Sequence, residues 1–233
     1  MIILGIESAT DRAGVALGAY EGVIASFSVN RGRRHVESLV PAVAMCCEHA
    51  GIRLSDVACV AVDVGPGLFT GLRVGVTTAK ALAAALGVPM IGLCSLDLLA
   101  FPLRHTPKLL AAAVDAKRGE VFSALYRHVP GGTLQVRGPM VGPPAALAAE
   151  LLAMREPVLA VGDGARRHAR VLSEVDHLEL DPVSFAHPTA ESLVELAHPR
   201  AVMEEFVNPA DILPLYLRTA DAKANFETLR RGA

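Results

Sequence analysis

Apolar runs of two kinds alternate along this chain: short ones rich in Val, Ile and Ala, and longer ones in which apolar residues return at helical spacing. Ile2 to Glu7, Ala13 to Ala19 and Val23 to Val29 predict three strands joined by tight turns, a meander whose first turn carries Glu7, Ser8, Thr10 and Asp11. A helix is predicted from His35 to about Ala50, with Val36, Leu39, Val40, Val43, Cys47 and Ala50 on one apolar face. Ala42, Met45 and Cys46 lie off that face and are apolar too. Such a helix should be covered on most sides, by its own domain or by another chain.

Cys59 to Val64 reads as a buried strand entering the loop Gly65-Pro66-Gly67-Leu68-Phe69. Thr70 to Leu86 follows as a helix rich in small residues, with Thr70 as the predicted N-cap and Gly87 and Pro89 as its stop. Met90 to Leu93 is a further strand and Ser95 to Phe101 a short helix. Pro102 to Pro107 reads as a linker. Beyond it the opening logic returns: strand Lys108 to Val114, turn Asp115 to Glu120, strand Val121 to Arg127, and another strand about Leu134 to Val136. A helix after Pro143-Pro144, a strand ending in Gly162-Asp163-Gly164, and a helix from Thr189 to His198 complete this half. Pro209 to Leu217 is predicted extended and Ala220 to Arg230 helical. The pattern is that of an α/β protein with mixed sheets flanked by helices, without a residue-by-residue repeat between the halves.

Composition narrows the function classes. With 233 residues, 52% of them hydrophobic, the chain can build one large core or two smaller ones. A net charge of −2 gives no electrostatic reason for this chain alone to hold nucleic acid tightly. The four cysteines, Cys46, Cys47, Cys59 and Cys94, lack CxxC spacing and sit in apolar patterns, as buried thiols of a reducing compartment do. The chain opens directly on a strand, and no apolar stretch is long enough to cross a bilayer. A cytoplasmic protein with no membrane association is therefore expected.

The glycine loop is the focus of candidate chemistry. Glycines between a strand and a helix permit positive φ, and they let a backbone or an anion approach the free N–H groups of the helix start. Two readings stay open: a tight structural turn, or an anion or nucleotide contact through Gly65, Gly67, Thr70 and Gly71. The loop lacks the Lys-Ser/Thr ending of a phosphate loop and the spacing of a dinucleotide fingerprint. His35 has Leu39, not a second histidine, one turn on, so no metal site is predicted.

Gly65 to Gly75 resembles the GPGSFTGLRIG-type signature of the TsaB (YeaZ) family, the non-catalytic subunit of the bacterial machinery that makes threonylcarbamoyladenosine in tRNA. Leu4 to Thr10, Asp115 to Phe122 and Leu213 to Arg218 are similar to further stretches of that family, so the resemblance spans nearly the whole chain. Leu68 departs from it, standing where many relatives have Ser. The resemblance implies an actin-like, Hsp70-like fold of two lobes, here 1–104 and a smaller, degenerate 105–208, with the first lobe rejoined by a C-terminal helical segment, 209–230. It also implies a partner role without catalytic residues: a homodimer when alone, a complex with the catalytic subunit TsaD and the ATPase TsaE, and tRNA met only through that complex. Family members associate through the first two long helices, which makes Ala42, Met45, Cys46, His49, Arg73, Thr77 and Lys80 the interface candidates. No cofactor is required by the chain itself; ATP or ADP is a possible ligand at the boundary with the catalytic subunit. Two other classes stand beside this one. An ATP-dependent small-molecule kinase of the same superfamily would need a carboxylate base, for which Glu7, Asp11, Asp63, Asp115 and Asp163 are candidates that spacing does not separate. A peptidase would need an activated nucleophile or a metal, and Ser8 and Ser95 lack a GxSxG setting.

Overall fold

The computed structural model describes residues 1–30, 35–181 and 185–218. The first unit is a five-stranded sheet ordered β3-β2-β1-β4-β5, built from β1 (Ile2–Glu7), β2 (Arg12–Ala19), β3 (Gly22–Asn30), β4 (Val57–Gly65) and β5 (Met90–Cys94). The predicted meander supplies its antiparallel half, while β4 and β5 add parallel to β1 through helical crossovers. Those crossovers are α1 (His35–Ala50) and α2 (Phe69–Leu86), which pack side by side on one face. Leu39, Ala42, Val43, Cys46 and Cys47 of α1 and Val76, Ala79 and Ala83 of α2 close over Leu4, Ile6, Val60 and Val62.

The second unit repeats the arrangement. Its sheet is ordered β10-β9-β6-β7-β8, from β6 (Leu109–Lys117), β7 (Glu120–Val129), β8 (Gly132–Gly142), β9 (Val158–Val161) and β10 (Leu178–Leu180). The helices α4 (Pro144–Met154), α5 (Asp163–Arg167) and α6 (Ala169–Leu172) accompany it. Its strands run longer than their apolar residues predict, because the antiparallel ladder continues into polar pairs such as His128 with Thr133. The β6–β7 hairpin turns on Arg118 and Gly119, both at positive φ as the tight primed turn requires. Between the units lies α3 (Ser95–Ala100). Its Leu98 packs in the first core, and Leu96, Leu99 and Ala100 pack on Leu110, Ala112 and Val114 of the second sheet.

Two expectations about the boundaries are corrected. The second unit does not extend to 208, because α7 (Ala190–Val202), capped by the Thr189 hydroxyl, crosses back to the first sheet. There Ala190, Leu193, Val194 and Ala197 cover Ile3, Ala16, Ala61 and Ile91, the face opposite α1 and α2. Nor is 209–218 helical beyond one 3₁₀ turn at Pro209–Asp211. Val207 bridges to Met90, and the segment after it runs extended along the first unit, as expected for Pro209 to Leu217, giving the Leu215 N–H to the Val64 carbonyl at 2.6 Å. The helix predicted from Ala220 to Arg230 lies outside the described residues.

Candidate partner face and the carboxylates beside it

The glycine loop is explained first by what it touches. Its Gly65–Pro66 peptide is cis. The N–H of Leu68 donates to the Ala9 carbonyl at 2.7 Å, and a Cβ on Gly67 would stand 2.2 Å from that same oxygen. One turn into α2, Ser8 Oγ donates to the Gly71 carbonyl at 2.8 Å. A Cβ on Gly75 would meet that hydroxyl at 2.2 Å. The glycines therefore let α2 lie directly on the turn between β1 and β2, and a backbone acceptor of the chain already occupies the Leu68 N–H. The predicted N-cap moves with this contact: α2 begins at Phe69, its capping position is Leu68 rather than Thr70, and no side chain caps it. Thr70 is exposed on the first turn, while Gly65 and Gly71 are buried. The second glycine turn is packed in the same way, since a Cβ on Gly162 would lie 2.1 Å from the Ala113 carbonyl.

The five candidate carboxylates gather near this junction, in two groups. Glu7 ends β1, Asp63 lies near the end of the adjacent strand β4, and both are buried. Glu7 Oε1 accepts the Ala9 N–H at 2.8 Å, and Asp63 Oδ1 accepts the Gly65 N–H and the Ser95 hydroxyl, each at 2.7 Å. Burial lifts the Glu7 carboxyl well above its usual range, and the charge of Asp63 adds to the effect. Asp63 is itself pushed up to about 7, chiefly by burial. The other three lie where the two hairpin turns meet. Lys117 Nζ reaches Asp115 at 3.0 Å and Asp11 of the opposite unit at 3.5 Å, Arg167 reaches Asp115 at 3.4 Å, and the Asp115 N–H donates to Asp163 at 3.0 Å. The two hairpin turns are thus bridged by the chain's own charges. Among the described residues no group of three or more His, Cys, Asp or Glu side chains is placed to hold a metal ion. Burial pushes the Cys59 and Cys94 thiols up to about 12, which removes them as nucleophiles at neutral pH.

The interface candidates separate by burial. Ala42 and Cys46 belong to the core beneath α1, because the helix sits deep enough on the sheet for a wider stripe than one apolar row to be covered. Lys80 is half-buried, and its Nζ donates to the carbonyls of Ala210 and Ile212, holding the C-terminal segment against α2. Met45, His49, Arg73 and Thr77 are exposed. Val40, assigned by spacing to the core face, is 58% exposed and joins Met45 on the outer side.

Two residues of this face escaped the sequence reading. Phe69, at the start of α2, is 54% exposed, and Tyr216 is 49% exposed. Their rings lie 5.5 Å apart, the Arg73 guanidinium carbon sits 3.9 Å above the Phe69 ring, and Arg73 Nε donates to Tyr216 Oη at 3.3 Å. The signal was an aromatic in each of two recognised stretches, Gly65 to Gly75 and Leu213 to Arg218.

Comparison with known proteins places this arrangement. A family model described as TsaD, tRNA N6-adenosine threonylcarbamoyltransferase, matches residues 22–226. The tRNA threonylcarbamoyladenosine biosynthesis protein TsaB of Bacillus subtilis is 30% identical over 232 residues, covering 97% of this chain and 98% of that protein. The chain belongs to the TsaB (YeaZ) branch of the family that this model describes. An uncharacterized Mycobacterium leprae protein, ML0378, is 35% identical over 228 residues, 95% of this chain, which spans 56% of that longer relative. Among solved structures, YeaZ from Pseudomonas aeruginosa superposes with a TM-score of 0.78 at 28% identity, covering 93% of this chain and 99% of the other. The ROK hexokinase of Thermus thermophilus, 12% identical, covers 88% of this chain and all of its own, with a TM-score of 0.51. That likeness concerns fold alone and identifies the two-sheet architecture as actin-like.

Proposed function

We propose that this chain acts in tRNA threonylcarbamoyladenosine biosynthesis as a non-catalytic cytoplasmic subunit, presenting the outer side of α1 and α2 to the threonylcarbamoyl transferase TsaD. The name of the B. subtilis relative supplies the pathway. The observation that carries the binding role is the cluster of Phe69, Arg73 and Tyr216, beside an outer face holding Val40, Met45 and Thr77. Exposed aromatic and arginine side chains that already order one another lose little freedom on association, which is the composition of an interface hot spot. In this reading the same face serves a homodimer when the chain is alone, TsaE joins through the complex, and tRNA is met only there. Any ATP or ADP belongs to the boundary with the partner. Support for a non-catalytic role comes from the glycine loop, whose close approaches are to the chain's own Ala9 and Ser8.

Light scattering coupled to size-exclusion chromatography tests the proposal, first on the pure chain and then after mixing with TsaD from the same genome. A homodimer that converts to a mixed complex is expected, and Arg73→Ala should weaken that complex about tenfold or more. A chain indifferent to TsaD, or steady ATP hydrolysis or peptide cleavage by the clean chain alone, would overturn it.

A further inference from the structure

Glu7 and Asp63 pose a problem that the partner role does not absorb. Ile6 pairs with Val62 in parallel register, so the next residues, Glu7 at the end of β1 and Asp63 near the end of β4, stand side by side on neighbouring strands. Each carboxyl group spends one oxygen on nearby donors: Oε1 of Glu7 on the Ala9 N–H, and Oδ1 of Asp63 on the Gly65 N–H and Ser95 hydroxyl. The other oxygens, Glu7 Oε2 and Asp63 Oδ2, are both buried and have no hydrogen-bond partner. Two buried acceptors with no donor between them are costly, and two adjacent buried carboxylates cost more.

The surroundings do not relieve them. Facing Glu7 are Asp63 on β4, Arg12 on β2 and Glu191 on α7, of which only Arg12 is cationic; it lies half-buried and gives its Nη2 to Ser28. Facing Asp63 are Ser95 and Asp97 on α3 and the Cys94 thiol on β5, none of them a cation. One proton supplies the missing donor and removes one of the two charges.

We propose that Glu7 and Asp63 share a single proton in the folded protein, and that this acid pair clamps the β1–β2 turn to the glycine loop at the base of α2. The geometry makes it a clamp. Glu7 holds Ala9, whose carbonyl accepts from Leu68, and Asp63 holds Gly65 at the other end of the same loop. Loss of the proton sets two charges against each other beneath both anchor points, so the loop and the start of α2 loosen as pH rises.

The sign follows from the raised carboxyls. In the unfolded chain both groups ionise near the ordinary carboxylate range, about 4. The folded state keeps a proton longer, so the pair's contribution to stability is full below about 4 and is lost as pH rises through the raised range of the folded pair, about 7 for Asp63 and well above its usual range for Glu7. The test is thermal unfolding of the full chain between pH 5 and pH 8.5, beside Glu7→Gln and Asp63→Asn. The wild type should lose several degrees of melting temperature across neutrality. Each amide variant, which carries its donor permanently, should lose less and should exceed the wild type at pH 8.5. Infrared difference spectra, wild type minus each variant, separate the pair from the other raised carboxyls, Asp97, Asp163 and Asp181: at pH 6 they should show a protonated-carboxyl band that shifts in deuterium oxide and fades at pH 8.5. A melting temperature no more pH-dependent in the wild type than in the variants, with no such band, would overturn the proposal. So would stabilisation of the wild type at pH 8.5 by added magnesium or potassium that both variants lack, which would make the pair a cation site instead.

Discussion

The hydroxyl of Ser8 stands in the space that a side chain at Gly75 would need, 2.2 Å from where its Cβ would be, while donating to the carbonyl of Gly71 one turn earlier. One hydrogen bond and one absent methyl group thus help to seat helix α2 on the β1–β2 turn, beside the Leu68–Ala9 contact. Gly75→Ala should destabilise the protein by about 1–3 kcal/mol. Adding Ser8→Ala should return part of that loss even though it removes a hydrogen bond, because the nearest remaining atom, the Ser8 Cβ, lies at 3.5 Å. Urea unfolding of the two single variants and the double variant measures the coupling. Gly67→Ala has no such relief, since the obstacle there is the backbone carbonyl of Ala9, and should cost about 3 kcal/mol or more.

Met45 and Cys46 are neighbours on α1 with opposite surroundings, 43% and 4% exposed. Met45→Asp should leave the melting temperature nearly unchanged, within roughly 0.5 kcal/mol of stability, while weakening association about tenfold or more. Cys46→Asp buries a charge in the core and should prevent stable folding. Thermal melts and light scattering on both variants separate the two effects; loss of folding in the Met45 variant would make that residue part of the core.

Tyr126 ties the two units together at one point. Its hydroxyl donates to Asp97 Oδ1 at 2.8 Å, joining β7 of the second sheet to α3. Burial holds the Asp97 carboxyl above its usual range, and the hydroxyl bond opposes that shift. Tyr126→Phe should therefore cost about 1–3 kcal/mol in urea unfolding at pH 8, where the carboxylate is charged and loses a partner. The loss should shrink toward pH 4, as Asp97 takes up a proton.

Lys80 offers a dynamic test. Its two bonds to backbone carbonyls hold the start of the C-terminal segment on α2. Lys80→Met should raise hydrogen exchange between Ile212 and Leu217, and with it the mobility of Tyr216, without unfolding α2.

Local pattern carried much of the architecture. The meander, α1, the strand entering the glycine loop and the stop at Gly87 follow from alternation, helical spacing and turn chemistry. What local pattern did not reveal depends on partners distant in sequence. Thr70 has the chemistry of an N-cap, but the helix start is fixed by Ala9, some sixty positions earlier, so capping yields to a tertiary hydrogen bond. Ala42 and Cys46 lie off the apolar row on a wheel, yet the depth to which α1 sinks into the sheet covers them. Arg73 carries no sign that Tyr216 will reach it, and Lys80 none that it will meet the backbone of Ala210. At the candidate site, the sequence supplied the residue types and the resemblance supplied the helices; which side chains face outward came only from packing.

The return of α7 to the first sheet has a consequence for how the protein is made. Strands β1 to β5 are synthesised within the first 94 residues, but the helix that covers their second face starts at Ala190. At translation rates of about 5–20 residues per second, that face waits roughly 5–20 seconds for its cover. During that interval Ile3, Ala16, Ala61 and Ile91 lack the α7 side chains that cover them in the folded protein. The whole second unit is thus an interruption that the nascent first unit must survive, and a chain that stalls before Ala190 would present an unfinished sheet to the cell's chaperones and proteases.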